Sequence, residues 1–377
     1  MIPVNEPLIG TNEHKYVLEC LNSGWISSAG TFIDDFESTW AKYCNRKYGI
    51  TTSSGTSALQ TAVACLDLQP GDEIIIPTFT IISCALAVIY NNCTPVLVDA
   101  DKDTWCMDAN LIEEKITLRT KAIMPVHIYG HPVDMDPILQ IAEKYNLAII
   151  EDAAEAHGAQ YLHGHGTSKQ NWVKCGSMGT MSIFSFYANK LVTSGEGGMI
   201  LTDNVNLANK AKKIRNLCFE PNRRFLHNQL GHNFRMTNIQ AALGLAQAER
   251  IDETVNIKRT IGSEYTKNLK DIDRIKLPIE RDWSKQVYWM YGIVLDHDDK
   301  INASDLALQL HSKGIQTRPF FLGMHQQPIL QEMGFCNDEQ FAVSDHLSQN
   351  GLYIPSGVAL SEEQLNQVCD TLHEILN

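Results

Sequence analysis

The sequence predicts an α/β protein: a layered sheet with helices between its strands, followed by a smaller α+β domain. Three observations predict it. Short β-rich runs recur between helical stretches. Most of those runs are continuously apolar instead of alternating, as strands covered on both faces require. Beyond about residue 250 the order changes to a long polar helix followed by a few strands and helices, which suits a small α+β domain packed on the first. The expected division is therefore 1–250 and 251–377.

Taken in order, the expected strands are "EIIIP" (73–77), "PVLVDAD" (95–101), "AIMPVHIYG" (122–130), "LAIIED" (147–152), "MSIFSFY" (181–187) and "GGMILTD" (197–203), with helices such as "DPILQIAEKYN" between several of them. In such a sheet, ligands are expected at the carboxyl ends of the strands. The C-terminal part is expected to hold the helix "AERIDETVNIKRTIGSEYTKNLKDI", then "QVYWMYGIVLD", "ASDLALQLHSKGI", "QTRPFF" and the terminal helix "SEEQLNQVCDTLHEILN".

With 44% apolar and 20% charged residues among 377, the chain can bury a substantial core. It opens "MIPVNEPLIGTNEHKYVLEC", without a basic stretch leading into an apolar one, and no later apolar run has the length of a membrane span. A cytoplasmic protein with no membrane partner is expected. Its ten cysteines (Cys20, Cys44, Cys65, Cys84, Cys93, Cys106, Cys175, Cys218, Cys336 and Cys369) form no C-x-x-C pair. Buried thiols of a reducing compartment fit better than disulfides, and no metal is expected. A formal net charge of -13 argues against nucleic acid, whose phosphates demand a basic face. An anionic ligand would need local cations. The candidates are Arg223 and Arg224 in "PNRRF", Arg235 in "NFRM" and Arg318 in "QTRPF", each of which could equally be a surface ion pair.

Three groups bear on chemistry. In "TTSSGTSALQTAVACL", small hydroxyl residues and Gly55 precede an apolar helical pattern, so that free backbone N–H groups and hydroxyls would face a docked phosphate; simple helix capping is the alternative. Neither this stretch nor "GHGTSKQ" is a Walker loop. In "LAIIEDAAEAHG" a strand delivers Glu151 and Asp152 at its carboxyl end, where a carboxylate could hold a ring nitrogen protonated or cap a helix. His157 nearby is expected to pack or to bond within a loop. The third is Lys190 in "NKLVTSGEGGM", a charge beside an apolar strand that either reaches solvent or is held inside for chemistry. One cofactor would unite all three: pyridoxal phosphate requires a lysine for its aldehyde, an acid for its pyridine nitrogen and a phosphate cradle.

At these residues the sequence resembles the fold-type I pyridoxal-phosphate sugar aminotransferases. The resemblance runs through "GWISSAG", "SSGTSAL", "GDEIIIPTFT", "AIMPVHIYGHPVDMDPI", "IEDAAEAHGA", "FSFYANKLVTSGEGGMILTDN", "NFRMTNIQAALGLAQ" and "TRPFF..MH". It implies an aspartate-aminotransferase-like fold with a large mixed, mostly parallel sheet. It implies further that Lys190 links covalently to the cofactor, that Asp152 pairs with the pyridine nitrogen and that Glu155 lies near the ring hydroxyl. Gly55, Thr56 and Ser185 would hold the phosphate, and Asn233 would reach it from the other subunit of a homodimer, with Arg235 shaping the shared site. Arg318 and His325 would lie near the sugar or its diphosphate, with Arg223 and Arg224 as further cations for the diphosphate.

Two features depart from the family pattern. Ile81 stands where many relatives carry an aromatic residue over the cofactor ring. The segment "QYLHGHGTSKQNWVKCG" is longer than usual; its His163 and His165 lack an evident carboxylate partner, so that a solvated loop is expected. The implied substrates are a nucleotide-linked 4-keto-6-deoxyhexose, aminated at C4, and glutamate as donor. A GDP-linked manno sugar is expected, with a dTDP- or UDP-linked gluco sugar as alternative. The dehydratase branch of the fold typically has histidine in place of this lysine and is set aside. A non-catalytic sugar-nucleotide binding protein of the same fold is the remaining alternative.

Overall fold

The computed structural model describes residues 1–220, 222–296, 301–335 and 339–376; Cys336 and the first residue of "PNRRF" therefore lie outside the described residues. Its strands are β1 (Tyr48–Thr52), β2 (Glu73–Pro77), β3 (Thr94–Val98), β4 (Thr120–Ile123), β5 (Ala148–Asp152), β6 (Gln160–His163), β7 (Asn171–Lys174), β8 (Met181–Ser185), β9 (Gly198–Thr202), β10 (Ile275–Lys276), β11 (Ser284–Lys285), β12 (Tyr291–Leu295), β13 (Arg318–Pro319) and β14 (Gly351–Ile354).

Seven of them form the main sheet in the order β1-β9-β8-β5-β4-β2-β3. From β3 across to β8 every pairing is parallel, and β9 then runs antiparallel to both β8 and β1. The sheet is mixed and mostly parallel, as expected. Strands β2 and β9 are buried along their whole length, which is why their sequences are apolar without alternation. The helix beside β1 starts where the sequence supplies a cap. Ser54 accepts from the Ser57 amide at 3.1 Å, and Ser57 Oγ accepts from the Ser54 amide at 2.9 Å, opening the helix Gly55–Ala64; reciprocal bonds of this kind satisfy first-turn amides. The helix Met135–Tyr145 buries Met135, Ile138 and Ala142 and ends at left-handed Asn146.

The C-terminal unit is a four-stranded antiparallel sheet, β10-β12-β14-β13, packed against the helices Ile251–Leu269, Ala303–Ser312 and Glu362–Leu376. Its core of Tyr265, Tyr291, Leu306, Leu310, Val368 and Leu372 also takes in Ile2 from the other end of the chain. The Ile2 amide donates to Gly314 and its carbonyl accepts from Gln316. Conversely, Val287, Trp289 and Met290 pack into the main core.

Three local expectations are corrected. The run 122–130 is strand only to Ile123; Pro125 has no N–H to donate, and Tyr129 then turns at φ 51° within a short 3-10 segment. Strand β1 escaped notice because "YGITT" is short and half polar. The expected solvated loop at 161–175 holds an antiparallel hairpin, β6–β7, extended by β11 into a three-stranded sheet. Its histidines do have carboxylate partners. His163 Nδ1 lies 2.5 Å from Asp136, and His165 Nε2 lies 3.1 Å from Asp134, both acids standing at the start of the helix Met135–Tyr145.

Candidate active site

A cavity of about 330 Å³ opens where the carboxyl ends of β5 and β8 meet the start of the helix Gly55–Ala64. Asp152 forms its floor and is 2% exposed. One carboxylate oxygen accepts from the Ala154 amide at 3.0 Å and the other from the Cys84 thiol at 3.4 Å. Burial raises its pKa, opposed by the Ala154 amide, the Cys84 thiol and the Lys190 charge, and burial prevails. Glu155 accepts from the Tyr129 amide at 2.7 Å with one oxygen and faces Lys190 Nζ at 3.6 Å with the other. Burial pushes its carboxyl up to about 7 despite that lysine.

Lys190 sits in the turn between β8 and β9. Its amide donates to Tyr187 O, and buried Leu191 and Val192 follow it, which fixes the backbone that carries the side chain. Burial lowers its pKa, against Glu155 and Asp152, which raise it. Its Nζ lies 3.6 Å from the centroid of the Trp289 ring. The lysine is thus held inside, between carboxylates and an aromatic face, and a less basic amine at neutral pH is a better-matched proton acceptor.

The opposite wall suits a phosphate. Thr56 Oγ1 and Ser83 Oγ lie 2.8 Å apart, Ser54 and Ser185 line the same wall, and the first-turn amides of the helix Gly55–Ala64 have no acceptor within the helix. A Cβ at Gly55 would stand 2.7 Å from Ser185 Cβ, so that only glycine lets strand and helix close around this corner. Ile81 lines the cavity and is 43% exposed, and Phe321 and Tyr353 close another side. The set fits pyridoxal phosphate: hydroxyls and a helix N-terminus for the phosphate, a buried acid for the ring nitrogen and a buried amine for the aldehyde.

The structure therefore brings Gly55, Thr56, Ile81, Asp152, Glu155, Ser185 and Lys190 into one cavity. Other candidates lie elsewhere in this chain. Asn233 is exposed and bridges Asn216. Arg235 donates to Asn216 Oδ1 at 2.7 Å and to Ser28 Oγ at 3.2 Å. It lines a separate cavity of about 440 Å³ together with Arg224, Lys212 and Arg215. Arg223 is exposed, and exposed Arg318 on β13 lies near the rim, where its charge opposes the burial that raises the Tyr353 pKa. His325, expected near the sugar or its diphosphate, does not line the cavity that holds Lys190. Its ring nitrogens bond Thr78 Oγ1 at 2.7 Å and Asp345 Oδ1 at 2.8 Å, which pins the segment after β2 to the helix Ala342–Asn350 and leaves the imidazole no free nitrogen. His157 packs as expected, among Trp40, Phe184 and Phe186.

Glu151, weighed in the sequence beside Asp152, points to the other face of the sheet. It accepts from the Gly176, Met178 and Gly179 amides and from Ser182 Oγ, and contacts His127 Nε2 at 3.0 Å. The residues missed were Ser83, Cys84 and Trp289, together with the aromatic wall in which Tyr129 contacts Phe320, Phe321, Trp289 and Tyr353. The aromatic density of "QVYWMYG" and "RPFF" was the available signal.

Residues 7–373 match the profile of the DegT/DnrJ/EryC1/StrS aminotransferase family. A GDP-perosamine synthase of Caulobacter vibrioides is 40% identical over 376 residues, an alignment that covers 100% of this chain and 98% of the relative. A GDP-perosamine synthase of Escherichia coli O157:H7 is 39% identical over 376 residues, covering 99% of this chain and 98% of the relative. Among solved structures, an aminotransferase from Psychrobacter cryohalolentis superposes with a TM-score of 0.91 at 26% identity, over 99% of this chain and 98% of that one.

Proposed function

The chain belongs to the DegT/DnrJ/EryC1/StrS aminotransferase family and is a pyridoxal-phosphate-dependent aminotransferase; on that premise we propose that it converts a GDP-linked 4-keto-6-deoxyhexose to the 4-amino-4,6-dideoxy sugar, with glutamate as donor. The observation that carries the proposal is the meeting of Lys190, Asp152 and the hydroxyl-lined helix start in one cavity of a chain with three full-length relatives, 33–40% identical, that are named GDP-perosamine synthase.

Bound pyridoxal phosphate supplies an electron sink for the pair left behind when an amino-bearing carbon loses its proton. The chain's own residues do the rest. Asp152, dry and anchored by the Ala154 amide, would hold the pyridine nitrogen and, as a carboxylate, favour its protonated form. Lys190 Nζ takes the proton from the carbon bearing nitrogen and returns it to the carbon that must gain one, acting as base and then as acid. Glu155, itself fixed by the Tyr129 amide, aims that amine. Phe321, Tyr353 and Trp289 line the cavity with aromatic surface, and a less polar surround strengthens each of these charge interactions.

The second substrate site is proposed to be completed by a second copy of the chain in a homodimer, Asn233 and Arg235 facing the partner's cavity. Arg235 and Arg224 share a basic cavity that Lys190 of the same chain does not line, which supports this placement, and Arg318 at the rim is a further cation for the diphosphate. The test is steady-state kinetics with GDP-, dTDP- and UDP-linked 4-keto-6-deoxyhexoses, glutamate as donor and 2-oxoglutarate as the measured product. GDP preference is expected. Preference for a dTDP or UDP sugar overturns the choice of nucleotide, and activity on free amino and keto acids alone overturns the sugar substrate.

A further inference from the structure

Trp289 enters the cavity from the segment between β11 and β12 and is 4% exposed. It is held at both ends. Its Nε1 donates to the Asn189 carbonyl at 2.8 Å, the peptide immediately before Lys190, and the same carbonyl accepts from Asn5 Nδ2 at 2.7 Å. Its own carbonyl accepts from Lys258 Nζ at 3.1 Å, and that lysine also donates to the Ser356 carbonyl. Lys258 is 2% exposed. A buried lysine is costly to retain, and this one fastens a residue whose ring face lies 3.6 Å from Lys190 Nζ.

We propose that Trp289 is a positioning residue for the Lys190 amine, holding its ammonium form over the indole face, and that Lys258 in turn holds Trp289. The inference rests on the aminotransferase reading above. Asp152 at the end of β5 and Glu155 and His157 just beyond it face Lys190, Tyr187 and Glu196 line the cavity from the segment between β8 and β9, Tyr353 does so from β14, and Glu6, Arg250 and Lys258 line a small adjoining cavity that Lys190 also lines. The carboxylates favour the charged amine, whereas burial opposes it. The indole adds attraction without adding a hydrogen-bond acceptor. The amine therefore keeps enough basicity to take a proton while remaining free to turn toward the carbon that receives it. A desolvated ammonium over a tryptophan ring is stabilised enough to shift its titration by about one pH unit, and a phenylalanine ring by less.

The test uses the full-length protein loaded with pyridoxamine phosphate, which leaves Lys190 a free amine. Competitive labelling with acetic anhydride across pH, read by mass spectrometry of the peptide containing Lys190, gives the titration midpoint. W289L is expected to lower that midpoint by about one unit, with W289F intermediate. K258M, which frees the Trp289 carbonyl, is expected to lower it in the same direction. Wild-type midpoints in both W289L and W289F overturn the proposal. Should W289L fail to fold, W289F and K258M decide on the same readout: lowered midpoints support the proposal and unchanged ones overturn it. A separate arm adds pyridoxal phosphate to the wild-type protein. Failure to protect Lys190 from labelling there overturns the aminotransferase reading, and the inference with it, through an outcome that involves no Trp289 variant.

Discussion

Adjacent residues on β5 carry opposite duties, because successive side chains on a strand point to opposite faces. Asp152 faces the cavity, and Glu151 faces a nest of amides. Burial alone would raise the Glu151 pKa, but His127 and the Gly176 and Gly179 amides prevail and hold it at about 2, against 4.5 when free. A depressed carboxylate contributes stability above its unfolded pKa and loses it as pH falls through the folded one. Glu151→Gln is therefore expected to destabilise the protein by about 3 kcal/mol at pH 7. The gap should narrow as pH falls from about 4.5 toward 2, which urea titrations of both proteins at a series of pH values would check. For Lys190→Ala the expectation is opposite in kind: turnover falls below detection while the melting temperature and cofactor stoichiometry are retained. Visible spectra and product formation measure it, and retained catalysis would remove the lysine from its role. Nothing in the local sequence distinguishes Glu151 from Asp152 as strongly as the strand's alternation does once β5 is placed in the sheet.

Elements set what these residues can reach. The helix Gly55–Ala64 begins with its cap, Ser54, and its first residues at the cavity wall, and the absence of a side chain at Gly55 lets Ser185 approach. Gly55→Ala is expected to weaken pyridoxal phosphate binding about tenfold or more, since the added methyl must displace backbone or Ser185 at a packed corner. Equilibrium dialysis with the cofactor checks this; an unchanged affinity would show that the corner yields. The cap was legible in "SSGTSAL" because hydroxyls ahead of an apolar helical pattern have a local cause. The β6–β7 hairpin was not. "YLHGHGTSKQNWVK" alternates weakly, and what orders it is pairing with β11, more than a hundred residues later, together with Asp134 and Asp136 on a neighbouring helix.

At the scale of the molecule there are two cores, and the chain crosses between them more than once. Ile2 packs with the C-terminal unit, and Trp289 returns from beyond residue 250 to the main core. The cavity is then closed by aromatic residues of β14 and of the segments beside β12 and β13, so that the site depends on both units. Asn233 and Arg235 do not line the cavity that holds Lys190 of the same chain, and Arg224 and Arg235 line a different one, which motivates a prediction about assembly. Mixing Lys190→Ala with Asn233→Ala protomers is expected to restore up to about a quarter of wild-type activity, because one site of each heterodimer would contain both native residues and random exchange makes half of the dimers mixed. Activity after subunit exchange, with dimer formation followed by light scattering, is the measurement. No recovery despite proven exchange, or a fully active monomer, would count against a shared site.

The sequence by itself determined the continuously apolar buried strands and several of the helices, because apolar runs and periodic helical patterns have causes within a few residues. It also determined the group of Lys190, Asp152 and the hydroxyl-lined helix start, since each of these stands at the end of a legible element and the family resemblance joins them. Only the tertiary structure decided which face Glu151 takes, that His325 is consumed by Thr78 and Asp345, and that Trp289 lies over Lys190 with Lys258 behind it. Those contacts join residues from 20 to more than 240 positions apart. No local propensity encodes such meetings; they exist because the sheet order and the packing of the two cores bring distant side chains within a few ångströms.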